Sequence, residues 1–355
     1  MFQRILVPLD GSSRAERALP VAALLARASH GSVVLLRVVN TATEFWPALN
    51  LHSELVESII GANLEEAKAY LTQVAASSFF QDISVEVIVR FGPIASTILE
   101  GISSHSIDLI VICSHGSTGM MHAIMGSIAE RVSQHAPAPV FVLREKGPVP
   151  ASPHPDALQP LKVLVGLDGS DYSKEAIAPT IALISALAAP AQGSIRLLRV
   201  VKPAEHQHFA WHDLPREETV EQVKQNMREM VESLHDEFEG VPAGGLEPQI
   251  TWSVAVDSDV AQTLTRVAES GEDAEGSGAF GWCDIIAMST HGHSDLRRWA
   301  IGSTTDRVLK ATQLPMFVVR PKQLQICTSQ DIDCHQQEHM DSHQQEQSPG
   351  WVGLL

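Results

Sequence analysis

Positive charge is scarce in this chain: 25 Lys and Arg stand against 42 Asp and Glu, a formal net charge of −17. Such a surface repels a polyphosphate backbone, which argues against nonspecific binding of nucleic acid. A small nucleotide held by backbone N–H groups stays open. Cysteine is equally sparse. Cys113, Cys283, Cys327 and Cys334 are scattered and read as free thiols of a reducing cytosol, giving a cytoplasmic localisation. Long apolar runs are missing too. The most apolar stretch, Ala176 to Ala191, is interrupted by Pro179, Thr180, Ser185 and Pro190. It falls short of the ~20 residues of a membrane span and reads as a buried amphipathic helix, with no membrane partner. Met1 to Asp10 lacks the basic start and cleavage site of a signal peptide and reads as a strand entering a turn.

What the chain does contain is a repeat of itself. Ile5-Leu6-Val7-Pro8-Leu9-Asp10-Gly11-Ser12 returns as Val163-Leu164-Val165-Gly166-Leu167-Asp168-Gly169-Ser170. Leu35-Leu36-Arg37-Val38-Val39 returns as Leu197-Leu198-Arg199-Val200-Val201, and from Asp108 to Arg144 the second copy follows without a gap, 176 residues on. A chain of 355 residues suits two domains. The repeat places them at 1–145 and 161–320. Between them, 146–160 carries five prolines and reads as a stiff linker. The Gln- and His-rich segment 321–355 reads as a disordered tail.

Within a copy, Ile5 to Leu9, Val33 to Val39, Leu109 to Ile112 and Val140 to Leu143 are almost continuously apolar, as parallel strands covered on both faces are. Ile83 to Arg90 and its counterpart from Ile250 alternate instead, which predicts a half-exposed strand near a sheet edge. Helices are predicted over Ala15–Ala28, opened by a Ser13/Glu16 capping box, and over Leu51–Ala75, Ile94–Ser103, Ser127–His135 and Pro215–Phe238. The alternation predicts two tandem doubly wound α/β domains with ligands beyond the carboxyl ends of the strands.

Chemistry concentrates in two loops: Ser114-His115-Gly116, nine residues, Gly126-Ser127, and Thr290-His291-Gly292, nine residues, Gly302-Ser303. Glycine lets a backbone approach a phosphate, and each Gly-Ser pair opens a helix whose N–H groups and dipole favour an anion. The plainer reading is glycine shaping a loop and serine capping a helix. Asp10 and Asp168, ending the first strand of each copy, can accept from a sugar hydroxyl or a base amine, or simply form an Asx turn.

These motifs resemble the universal stress protein family in its tandem form, over nearly all of 2–145 and 161–320. The family's nucleotide loop is Gly, two residues, Gly, nine residues, Gly, then Ser or Thr. Gly116, Gly126 and Ser127 match it, as do Gly292, Gly302 and Ser303, while Cys113 and Ser289 replace the first glycine. The resemblance puts adenine and ribose contacts on Pro8, Asp10 and Val38, recurring at Gly166, Asp168 and Val200. It sets Ile112 and Met288 beside the ribose and Ile128 and Thr304 just after the phosphate serine. It implies a five-stranded parallel sheet of order 3-2-1-4-5 in each copy. It also implies pairing through the last strands, so that two linked copies form an internal pseudo-dimer, with a homodimer as a further possibility.

The implied ligand is ATP, ADP or AMP, with or without Mg, and the implied role is a stress-response or signalling module with an unknown protein partner. No lysine of the Walker type accompanies either loop, so the chain reads as a binder and at most a slow ATPase. The alternative is an interaction scaffold with degenerate loops. An adenylating enzyme of the related hydrolase-like group is disfavoured, because Asp10-Gly11-Ser12-Ser13 is not that group's Ser-Gly-Gly loop. Gly166 and the insertion Gly271 to Gly281 mark the second copy as the weaker candidate. His115 and His291 read as structural loop residues, Arg131 and Arg307 as surface arginines, and Cys113 as an inert small residue. The His206–His212 cluster with Trp211, like Trp46, reads as loop. Cys327, Cys334, His335, His339 and His343 read as tail rather than a metal site.

Overall fold

The computed structural model describes residues 2–40, 53–116, 125–145, 147, 160–188, 192–203, 218–238, 248–271, 274–277, 281–292 and 301–321. Most of the linker, the tail, Trp46 and the His206–His212 cluster lie outside these. The first copy runs β1 (Arg4–Pro8), α1 (Ala18–Ser29), β2 (Ser32–Val39), α2 (Ser53–Ala75), β3 (Ser84–Phe91), α3 (Ile94–Ser104), β4 (Leu109–Cys113), α4 (Ser127–His135) and β5 (Val140–Leu143). The second runs β6 (Lys162–Leu167), α5 (Asp171–Lys174), α6 (Ile177–Ala188), β7 (Ser194–Val201), α7 (Val220–Phe238), β8 (Gln249–Val256), α8 (Val260–Ser270), β9 (Glu275–Gly276), β10 (Ile285–Ser289), α9 (Ser303–Ala311) and β11 (Met316–Val319).

The two-sided apolarity of the strands shows up as two core layers. Ile5, Val7, Val33, Leu35, Leu109 and Val111 face α1 and α2, whereas Leu6, Val34, Leu36, Ile110 and Ile112 face α3 and α4. Successive side chains of a strand point to opposite faces, so each strand needs apolar residues at every position. The sheet order is β3-β2-β1-β4-β5 in the first copy and β8-β7-β6-β10-β11 in the second, parallel within each. Both are doubly wound, with the strand order reversing between the first and fourth strands of a copy.

Two expectations are corrected. The capping residue ahead of α1 is Ser12, not Ser13: Ser12 Oγ accepts from Ala15 N–H at 3.2 Å, while Glu16 turns to accept from the Tyr70 hydroxyl at 2.8 Å. The first turn there is a 3-10 helix, Ala15–Arg17. The second copy's alternating strand lies next to the sheet edge, as expected, but is mostly buried rather than half-exposed. The insertion supplies β9, which pairs antiparallel with Ser253 and Val254 of β8 and leaves most of β8 buried. In the first copy β3 remains partly exposed, as its alternation predicted.

The two sheets join into one. β5 pairs antiparallel with β11, Phe141 opposite Phe317 and Val140 opposite Val318. The two phenyl rings meet edge to face at 6.2 Å, and Phe2 adds a second such contact to Phe317. Burying each phenyl contributes roughly 1.5–3 kcal/mol. α1 packs beside α6 on one face of this seam. On the other face the residues just past β5 and β11 cross over. Buried Arg144 donates to the carbonyls of Leu309 (2.7 Å) and Leu314 (3.1 Å), and Arg320 reaches toward that of His135 at 3.5 Å. Each arginine thus meets a carbonyl in the last turn of the other copy's last helix, Leu309 in α9 and His135 in α4, where groups lack intrahelical partners and the dipole favours a cation. Lys310 also bridges to Glu130 at 2.7 Å. Burial pushes the Arg144 guanidinium down to about 10.

Candidate nucleotide site

Each site begins where the first strand of a copy ends. Gly11 and Gly169 hold φ of +88° and +87°, a backbone region that glycine enters without penalty. Asp10 Oδ1 accepts from Ser12 N–H (3.0 Å) and Oγ–H (2.6 Å); Asp168 Oδ1 does the same with Ser170 at 2.9 and 2.6 Å. That is an Asx turn, so the plain reading of these acids holds for Oδ1. The other oxygen turns onto the loop: a Cβ added to Gly116 or Gly292 would land on Oδ2 of Asp10 or Asp168. The loop glycine is there to admit the carboxylate.

The loops are closed by their own backbone. Ser114 N–H donates to Leu143 O at 2.7 Å and Thr290 N–H to Val319 O at 2.8 Å, tying each loop to the last strand. Gly126 N–H returns to Ser114 O at 2.7 Å and Gly302 N–H to Thr290 O at 2.6 Å. A Cβ on Gly126 would stand 2.9 Å from that Ser114 oxygen, which is why glycine is needed at a position with ordinary φ. Gly126 and Gly302 are the N-cap residues of α4 and α9 and offer no side-chain cap. With glycine at each cap, no capping side chain takes the N–H groups of the first turn, which lie beside the exposed Ser127 and Ser303.

In the second copy these parts surround one cleft. Asp168, Met288, Ser289, Gly292, Gly302, Ser303 and Thr304 all line it. It is narrow, about 70 Å³, the size of a phosphate group rather than a whole nucleotide. Sequence reasoning missed its far wall, Val260 and Leu264 of α8, although their spacing of four puts them on one helical face. Gly166 also lines it, and a Cβ there would stand 3.2 Å from Leu264 and 3.3 Å from Met288. The Pro8-to-Gly166 change thus keeps the cleft open. The insertion goes to the far sheet edge as β9.

Other assigned residues lie deeper. Val200 and Ile112 are buried in the core layer under α3, α4, α8 and α9, and Val38 and Ile128 pack against it half-buried. Pro8 pairs with Leu36 in the sheet. The residues replacing the first glycine are also buried. Ser289 Oγ accepts from His291 N–H at 3.3 Å, and the Cys113 thiol is pushed up by burial against the backbone N–H groups of His115 and Ser114. His115 and His291 are buried, each with Nδ1 against the neighbouring hydroxyl, at 3.1 Å from Ser114 and 2.9 Å from Thr290. The Nε2 atom of His115 has no hydrogen-bond partner. Arg307 turns away to Asp259 at 2.7 Å, and Arg131 is exposed.

Burial also sets the thiol chemistry. Cys283, behind β10, is pushed up to about 11 by desolvation. With Cys327 and Cys334 changed to serine, the folded protein should leave Ellman's reagent unreacted at pH 8 and yield two thiols only in denaturant. Because the folded state holds the Cys283 proton more tightly than the unfolded chain, this group's contribution is lost as pH rises from about 9 toward 11. Cys283→Ala should flatten that alkaline decline in stability.

An open doubly wound α/β sheet with a glycine–aspartate turn and loop at the strand ends recurs twice in one chain. The model of the universal stress protein family matches residues 1–144 and again 161–320, and the chain belongs to that family. Universal stress protein YxiE of Bacillus subtilis is 26% identical over 148 residues, 41% of this chain and 100% of its own. The Mycobacterium tuberculosis universal stress protein Rv2005c is 21% identical over 318 residues, 89% of this chain and 96% of its own, so the tandem form recurs there. In fold, a universal stress protein from Archaeoglobus fulgidus superposes with a TM-score of 0.60 at 18% identity, covering 90% of this chain and 99% of that one. No helix among the described residues is long and apolar enough to cross a membrane.

Proposed function

We propose that the second copy binds an adenine nucleotide (ATP, ADP or AMP), and that the protein acts as a nucleotide-responsive stress or signalling module. The observation that carries this is the convergence of Asp168, Met288, Gly292, Gly302 and Ser303 on one cleft at the switch point of the sheet. The N-terminus of α9 and the Ser303 hydroxyl seat a phosphate, and Asp168 faces the sugar. Met288, Val260 and Leu264 supply the apolar wall. The first copy carries the same turn, loop closure and uncapped helix around Asp10, Gly116, Gly126 and Ser127, and is proposed as a second site. The β5–β11 seam, with its reciprocal arginines, supports reading the tandem as an internal pseudo-dimer.

Titration of nucleotide-stripped protein with ATP by calorimetry tests this. Saturable binding at micromolar to low millimolar ATP is expected, weakened roughly tenfold by Ser303→Ala through loss of a hydrogen bond to a charged group. Absence of heat and of any thermal shift at several millimolar ATP would overturn it. The interaction scaffold is then the better reading, and Cys113 and Ser289 in place of the first glycine are the observation in its favour.

A further inference from the structure

The larger cavity of the second copy lies on the opposite face of the sheet from the nucleotide cleft. It measures about 570 Å³ and opens between α6 and α7 beside the Asp168-Gly169 turn. Ile177 and Ile181 wall one side, Val223, Met227 and Leu234 the other. Its volume falls in the range of small-molecule sites.

At the corresponding place the first copy carries an arginine–tyrosine pair. There the Tyr70 ring lies under the Arg37 guanidinium, 5.1 Å from ring centroid to Cζ, and its hydroxyl donates to Glu16 at 2.8 Å. The equivalents of all three residues line the cavity of the second copy. Arg199 stands for Arg37, against Gly169 as Arg37 is against Gly11, and Lys174 stands for Glu16. Met230 stands for Tyr70. The two helices bury corresponding positions, Ala67 and Leu71 in α2 and Met227 and Val231 in α7, and Tyr70 and Met230 each directly precede the second of the pair. The second copy thus keeps the arginine that covers a ring, lacks the ring, and exchanges the anionic acceptor for a cation.

We infer that this cavity binds a small aromatic acid, its ring against Arg199 and its carboxylate on Lys174. An arginine face attracts an aromatic ring. Glu218, 2.5 Å from Arg199, holds that guanidinium in place. Among the described residues Lys174 pairs with Asp171, at the protein surface, where such a pair is worth little and yields readily to a ligand carboxylate. Met227 and Met230 are pliable walls suited to rings of different size.

The test uses the full chain and 1-naphthoate, with 1-naphthylmethanol as the uncharged control. Expected is saturable binding of one equivalent of naphthoate at about millimolar concentration or below, with the alcohol at least fivefold weaker. The double variant Met230→Tyr/Lys174→Glu rebuilds the first copy's trio and should lose at least tenfold in affinity without a lower melting temperature. Lys174→Gln alone should bring naphthoate down to the alcohol's affinity. Ser303→Ala should leave naphthoate binding intact, which separates this site from the nucleotide cleft. Non-saturable binding to 10 mM, equal affinity for acid and alcohol, or full binding by the double variant overturns the inference.

Discussion

Arg144→Met will cost the folded tandem about 2 kcal/mol or more and shift its urea midpoint down accordingly. The guanidinium is almost wholly buried and is shared between the Leu309 and Leu314 carbonyls of the other copy. Methionine fills similar space but donates nothing, so the carbonyl of Leu309 in the last turn of α9 and that of Leu314 beyond it lose their charged partner. A hydrogen bond from a charged donor is worth roughly 1.5–3 kcal/mol, and an unmet buried acceptor costs about 1–3. Against this stands relief of desolvation. Burial holds Arg144 at about 10, so the folded state binds this proton less tightly than the unfolded chain. That cost is present at neutral pH and fades only as pH rises above 10. The net figure is therefore smaller than the two bonds summed. Arg320→Met, at the less deeply buried of the two arginines, should cost less. Equal losses from the two variants, or none from Arg144→Met, would show that the seam is held by β5–β11 and the phenylalanines alone.

Gly292→Ala will reduce nucleotide affinity at least tenfold, more than Ser303→Ala. The new methyl takes the place of the Asp168 carboxylate, whose other oxygen is fastened to Ser170. To make room, Asp168 must swing off its turn, giving up two hydrogen bonds at about 1 kcal/mol each, or the loop must move away from the cleft. Either displaces a group proposed to hold the ligand. Asp168→Ala removes the clash, so the double variant should bind no worse than Asp168→Ala alone. Such non-additivity is the mark of residues in contact. Additive losses measured by calorimetry would place Gly292 and Asp168 in separate roles. The same argument applies to Gly116 and Asp10, whose geometry is the same.

Much of this was legible in the chain. Two-sided apolar strands, the repeat, and the Asp-Gly and Gly-Ser signals depend on local backbone preference and periodicity, which each segment carries within itself. Ser127–His135 was read to the residue because its glycine start and the prolines beyond its end are both local. The capping residue went wrong by one, since Ser12 and Ser13 are chemically alike and only the turn built by Asp10 selects between them. The exposure of the corresponding strand in the second copy went wrong because β9 comes from an insertion whose pairing is set across the sheet.

By itself, then, the amino-acid order determined two α/β units, their family and the short-range chemistry of each loop. Those follow from interactions among near neighbours. Tertiary structure alone decided three things: the register in which β5 and β11 merge the units into one sheet, that Arg144 serves the other copy, and that a cavity opens between α6 and α7. Each depends on residues far apart in sequence meeting in space, where packing and the need to satisfy buried polar groups set the outcome.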